Sequence, residues 1–215
     1  MKLYLSSYRL GNHASILKEL LEPSGGKVAL IPNAGDYRAD DNVTAEKIRS
    51  YCELFKDIGI ETIVSDLRQY FGKQDKFVRD FESFRAFFAT GGNVFVLRQA
   101  MHLSGFDQFL LSLKDRDDYL YGGWSAGMCV LAKNLKGIEL CDSPSANPYD
   151  YETMWDGIGL LDYLPVPHYE SEPHPEAHLM YDVVAYLEKN KLPYKTLRDG
   201  DVIIKDTVTG KERDL

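Results

Sequence analysis

The chain has 215 residues, 44% apolar and 27% charged, with 33 acidic against 25 basic side chains and a formal net charge of −8. That size and mix fit one globular domain able to bury roughly 70% of its unfolded surface; without a basic cluster, nucleic acid is excluded as an expected partner. No apolar stretch reaches the length of a membrane span, the start "MKLYLSSYRLG" lacks a signal peptide's apolar core, and three cysteines without a C-x-x-C (Cys52, Cys129, Cys141) read as reduced thiols, so a cytoplasmic protein without a membrane partner is expected.

In chain order, "KLYLSS" (2–7) reads as a strand and "ASILKELLE" (14–22) as a helix. The near-continuous apolar run in "KVALIPNAG" (27–35) predicts a buried strand. An amphipathic helix follows at 44–59, with Ile48, Tyr51, Cys52 and Phe55 on one face and Gly59 at its end. Residues 60–66 read as a strand and 75–84 as a helix. "RAFFAT" (85–90) is a strand running into Gly91-Gly92-Asn93, then a helix, then a short helix at 106–114. "DYLYGG" is a strand with the helix "AGMCVLAKN" behind it. Such alternation predicts a mostly parallel sheet with helices on both faces. Residues 141–157 are turn-rich. Two short strands are expected within 158–175, a helix over 175–190 with Pro175 in its first turn, and a β-hairpin region at the C-terminal end. Nothing marks a linker or repeat, so residues 1–215 read as a single domain.

Within this pattern, Gly123-Trp124-Ser125-Ala126-Gly127 fits Gly-x-Ser-x-Gly between a strand and a helix. One reading is a nucleophile elbow, whose turn is too tight for side chains two residues either side of the serine. The other is a glycine-rich turn carrying an incidental serine. "FFATGGNVF" is a second strand–loop–helix junction, one β-α unit earlier, and parallel strands gather such loops at one sheet edge. The N–H groups of Gly92 and Ala126 could therefore form an oxyanion hole, with Asn93 beside them as a substrate contact.

A nucleophilic serine needs a base. Of five histidines, His13 and His102 read as surface or packing residues, and His168 closes the apolar run "YLPVPH" at a strand's carboxyl end. His174 and His178 sit four apart in "HPEAH", but Pro175 makes His174 a helix cap and the order matches neither common zinc motif. No metal or other cofactor is expected. Cys129, among apolar neighbours, reads as a core thiol rather than a rival nucleophile.

"GGWSAGM", preceded by "ATGGNVFVL" and followed by "GIGLLDYLPVPHYE", resembles the peptidase E (aspartyl dipeptidase) family of serine peptidases. The resemblance implies a three-layer, flavodoxin-like fold of the class I glutamine amidotransferase-like type. It also implies Ser125 as nucleophile, His168 as general base, and Gly92 and Ala126 as oxyanion donors. The family's late acid-glycine motif matches Asp199-Gly200, which makes Asp199 the orienting acid, with Asp142 as the alternative. The same resemblance implies a basic residue soon after the histidine to hold a substrate carboxylate. Residues 169–188 contain no Lys or Arg, so strict Asp-x specificity is not supported, and Glu170 and Glu172 are candidates for a peptide's free amine. The expected function is a serine exopeptidase for short peptides, working as a monomer or homodimer. The alternatives are an isopeptide- or amide-cleaving hydrolase of the cyanophycinase type and a non-catalytic binding protein on the same fold.

Overall fold

The computed structural model describes residues 1–215. Its elements are β1 (Lys2–Ser6), α1 (Ala14–Leu21), β2 (Lys27–Ile31), α2 (Asp41–Asp57), β3 (Glu61–Val64), α3 (Gln74–Phe81), β4 (Ala86–Ala89) and α4 (Val94–Ser104). There follow α5 (Phe106–Ser112), β5 (Leu120–Trp124), α6 (Ala126–Cys129), β6 (Leu164–Val166), α7 (Ala177–Lys189), β7 (Tyr194–Thr196), β8 (Val202–Asp206) and β9 (Glu212–Asp214).

Seven strands form one sheet in the order β3-β2-β4-β5-β1-β8-β9, parallel from β3 to β1. The β8–β9 hairpin adds to β1 in antiparallel sense. The expected α/β fold is therefore observed. Side-chain alternation along the strands explains why helices cover both faces. Leu3, Leu5, Ala29, Ile31, Phe87 and Ala89 point to the side of α3, α4, α5 and α7. Tyr4, Val28, Leu30 and Phe88 point to the opposite side, where Leu17 and Leu21 of α1 and Phe55 of α2 cover them. Neither face can be left wet, which is why the strands read as continuous apolar runs.

Several boundaries differ from the sequence reading. Helix α2 begins three residues earlier than expected because the Asp40 carboxylate accepts from the N–H groups of Asn42 and Val43, capping a polar first turn. The helix behind Ser125 is a single turn, and the chain then bridges Ala132 to Leu161 and Asn134 to Asp156. Pro175 precedes α7 instead of lying in its first turn. Only one strand forms within 158–175. It is β6, and it pairs in parallel with β7 in a separate two-stranded sheet, so residues 194–196 are not part of the terminal hairpin.

The aromatic loop 144–155 folds back over the core. Tyr149 donates to the Asp36 carboxylate at 2.6 Å, and its ring meets Phe71 edge-on. No helix is long and apolar enough to cross a membrane.

Candidate active site

The carboxyl ends of β1, β2, β4 and β5 open onto one cleft of about 470 Å3, a volume suited to a small ligand. Ser125 stands at its floor, directly after β5, with φ 49° and ψ −118°. A side chain at that backbone conformation is strained, commonly by ~1–3 kcal/mol, and persists only where the surroundings enforce it. Here they do. The Ser125 N–H donates to Ser6 O, and its carbonyl accepts from the N–H groups of Met128 and Cys129. Its neighbours on both sides are buried while Ser125 itself is partly exposed to the cleft.

The flanking glycines are sterically required. A Cβ on Gly123 would lie 2.5 Å from Gly127 O, and one on Gly127 would lie 2.2 Å from Ala89 O. The β4 loop arrives just as closely, since a Cβ on Gly91 would sit 3.2 Å from Ser125 Cβ. Gly92 adopts φ +147° against Ala34 O, and its N–H enters no backbone hydrogen bond. Ala126 opens α6, so no preceding helical carbonyl takes its N–H. Both donors are thus available near Ser125. A one-turn helix carries little macrodipole, so any stabilisation of an oxyanion comes from these N–H groups themselves.

His168 also lines the cleft, buried to 1% exposure at the end of β6. Its Nδ1 lies 2.6 Å from Asp199 Oδ1. Parallel pairing of β6 with β7 explains the meeting: Val166 stands opposite Thr196, and the next residues carry His168 and Asp199 beyond the two strand ends. Ser7 locks the pair to β1, donating to Asp199 Oδ1 at 2.9 Å and accepting the His168 N–H at 2.8 Å. The Asp199 N–H in turn donates to Ser171 Oγ. A carboxylate can only accept, so Nδ1 carries the imidazole proton and Nε2 keeps its lone pair. Burial holds the His168 pKa below its ordinary value; Asp199 opposes that shift and neighbouring His174 reinforces it.

The other expected residues lie elsewhere or are otherwise engaged. Asp142 is not beside His168. Its carboxylate accepts the Val94 N–H at 2.7 Å at the start of α4, and burial pushes its pKa up to about 7. Asn93 caps the same helix, accepting from Phe95 and Val96 and donating to Ser143 O, which ties its side chain to structure instead of substrate. Glu170 pairs with Arg198, and Glu172 is exposed; neither lines the cleft. Besides Asp199, the acid that does so is Glu176. Cys129 is a buried thiol held to Pro165 O, and burial raises its pKa well above the ordinary range. His102 contacts Asp107, away from the cleft.

A raised carboxyl pKa means the folded state binds that proton more tightly than the unfolded chain. The contribution of Asp142 to stability is therefore full below the unfolded carboxyl range and lost as pH rises through about 7. Asp142→Asn keeps an acceptor for Val94 but removes the charge. It should leave turnover near that of the parent and flatten the fall of Tm between pH 4 and 8, as thermal melts across that range would show. A large loss of turnover with unchanged melts would overturn this assignment.

His174, read from sequence as a helix cap, instead stacks on His168. With Asp199, the two histidines gather three groups able to ligate a metal. The geometry does not suit a shared ion, because the ring planes lie 3° from parallel with centroids 3.5 Å apart. Imidazole lone pairs lie in the ring plane, so those of the two rings do not converge on the ~2.0–2.1 Å bonds that zinc requires. Activity should survive EDTA; loss on chelation with recovery on added zinc would contradict this.

Sequence reasoning also missed the cations. Arg9, Arg38 and Lys47 line the cleft, and none has an ion-pair partner within the protein. Arg9 lies over the Tyr8 ring at 5.1 Å and Arg38 over the Tyr37 ring at 4.6 Å. A repeated signal was available in the two Tyr-Arg dipeptides of "SSYRLG" and "GDYRAD", each following a strand. Burial lowers the Lys47 pKa, and the nearby Arg38 charge lowers it further.

A mostly parallel sheet here presents a strained serine and a carboxylate-held histidine together at its carboxyl edge, an arrangement found among α/β hydrolytic enzymes. The chain belongs to peptidase family S51, whose model matches residues 5–209. It is 34% identical over 86 residues to the uncharacterized peptidase Lin0382 of Listeria innocua, covering 40% of each chain. It is 33% identical over 89 residues to the uncharacterized peptidase Lmo0363 of Listeria monocytogenes, covering 41% of this chain and 42% of that one. The matches thus span about two fifths of these relatives' length. In fold, the chain superposes over its whole length on 97% of a peptidase E candidate from Listeria monocytogenes EGD-e, with a TM-score of 0.78 at 19% identity. Against a peptidase from an acI-B1 Actinobacterium the TM-score is 0.62 at 17% identity, covering 95% of this chain and 82% of that one.

Proposed function

We propose that the protein is a serine exopeptidase for short peptides. Ser125 Oγ attacks the scissile carbonyl while His168 Nε2 takes its proton. The imidazolium, stabilised by Asp199, returns that proton to the leaving amine, and an ester on Ser125 remains. Water, deprotonated by His168, then hydrolyses the ester and regenerates the serine. The N–H groups of Gly92 and Ala126 receive the oxyanion in both steps. One observation carries the reading: Ser125 is held in a strained backbone conformation in the same cleft as a histidine whose Nδ1 is bound by Asp199. Backbone strain of this kind clusters at active sites, and its presence at a cleft serine weighs against a binding protein that merely keeps the fold.

The unpaired cations bear on specificity. In a chain of net charge −8, a cleft carrying Arg9, Arg38 and Lys47 favours substrates with negative charge. This supplies, from the β1 and β2 ends and from α2, the positive charge that is missing after His168. A fluorophosphonate probe should modify Ser125, and a dipeptide library should then give its best turnover with acidic members. Arg38→Met and Lys47→Met should raise KM for acidic dipeptides and leave neutral ones little changed. Equal effects on both sets would remove the cations from specificity, and an unmodified Ser125 would remove the mechanism.

A further inference from the structure

The face-to-face pair His168–His174 is not explained by the chemistry above, which uses one histidine. The two rings are nearly parallel with centroids 3.5 Å apart, and the Tyr8 ring stands edge-on to both, at 6.0 Å from His168 and 5.4 Å from His174. The His174 mount is stiff. It lies between Pro173 and Pro175, which fix their own φ and restrict the residue before each. Its N–H donates to Ser171 O at 2.7 Å, and its Nδ1 accepts the Glu176 N–H at 3.3 Å. Ser171 also accepts from the Asp199 N–H, so one residue sets the position of both the orienting acid and the stacked ring.

We infer that His174 is a positioning residue for His168: its rigidly mounted ring lies flat on the imidazole and holds it in the plane that keeps Nδ1 on Asp199 and Nε2 free for Ser125. This rests on the function proposed above, with His168 as base. The ring is anchored covalently through Cβ–Cγ, and Asp199 adds a second anchor at Nδ1, so what remains is a coupled χ1/χ2 tilt of the ring plane. A flat surface against one ring face, with Tyr8 at the edge, restricts that tilt. Correct alignment of a base matters, since a displacement of about 1 Å can cost ~100-fold.

A second consequence follows from using histidine for this surface. Asp199 and Ser7 bond to His168, Tyr8 stands at the ring edges and Glu176 acts on His168 by charge, while Arg9, Arg38, Lys47 and Ser125 line the same cleft. Asp199 and Glu176 favour a single imidazolium; a second, stacked on the first, would meet like charge at contact distance. His174 thereby works with burial to keep His168 neutral, and so basic, to lower pH.

The test is the rate of fluorophosphonate labelling of Ser125 against pH, which needs no identified substrate, in the parent, His174→Ala and His174→Phe. His174→Ala should slow labelling by about 10-fold or more. His174→Phe restores a flat face and should recover the rate to within a few-fold of the parent. Its acidic limb should move to higher pH, because an uncharged phenyl ring no longer helps to lower the His168 pKa. Labelling of His174→Ala at the parental rate would overturn the role. So would a His174→Phe variant as slow as the alanine one with its limb unmoved. If His174→Ala fails to fold, the limb of His174→Phe decides alone. A parent that does not label at Ser125 would sink the proposed function and this role with it, whereas a labelled parent matched by both variants would sink only His174.

Discussion

Ser125→Ala should lower peptide turnover by at least ~10⁴-fold, because nucleophile, base and orienting acid act as a unit. The fold should persist, since Ser125 holds its neighbours through backbone groups: its N–H on Ser6 O and its carbonyl under the N–H groups of Met128 and Cys129. The strained backbone sharpens the test. Alanine carries the same Cβ as serine and keeps the strain at φ 49°, whereas glycine releases it. Ser125→Gly should therefore be as inactive as Ser125→Ala yet melt at a higher temperature, by the ~1–3 kcal/mol of released strain less the ~0.5–1 kcal/mol that glycine costs in entropy. That pairing of gained stability with lost activity is the mark of a residue held in place for chemistry. Near-parental turnover in either variant would show that Ser125 is not the nucleophile.

Asp199→Asn should cost about 10³–10⁴-fold in kcat/KM and move its acidic limb to lower pH. The sign follows from the groups around His168. Burial already holds the imidazole below its ordinary pKa, and Asp199 is the main opposing influence, by hydrogen bond and by charge. Without that charge the imidazolium is harder to form. The neutral base then survives to lower pH, while the transition state, which needs the imidazolium, loses its stabilisation. The parental limb should itself lie below the usual histidine range of ~6.5, because the desolvation of His168 outweighs its carboxylate. A pH–rate profile of both proteins on one substrate checks each part. A near-silent Asp199→Asn would remove Asp199 from the mechanism. A large loss in Asp142→Asn would move the orienting role to Asp142, against the 2.7 Å bond that ties its carboxylate to Val94 N–H.

The core strands and their helices were legible because each carries a local signal. Apolar runs such as "KVALI" and "AFFA" fit strands buried on both faces, and 177–189 buries one helical stripe of Ala177, Met180, Val183, Val184 and Leu187. The glycine spacing around Ser125 was also legible, because it answers a steric demand within five residues: Gly123 would collide with Gly127. The helix behind the serine was overextended, since its apolar residues continue past Cys129 although the chain leaves the helix to bridge Leu161. Periodicity reports burial, and a buried irregular segment can look the same as a buried helix.

By itself the sequence determined the α/β fold, the strand-to-helix setting of Ser125 and the place of His168 at a strand end, because each is enforced by residues close in the chain. Only the tertiary structure put the Asp199 carboxylate on His168 and that of Asp142 on the Val94 N–H, because β6 and β7 pair across about 30 residues. It likewise placed Arg9, Arg38 and Lys47 in the cleft and laid His174 on His168. It turned Asn93 and Asp142 into helix-start ligands. The reason is general to parallel sheets: carboxyl ends that are distant in sequence converge on one edge, so charge and side-chain contacts there belong to no local pattern.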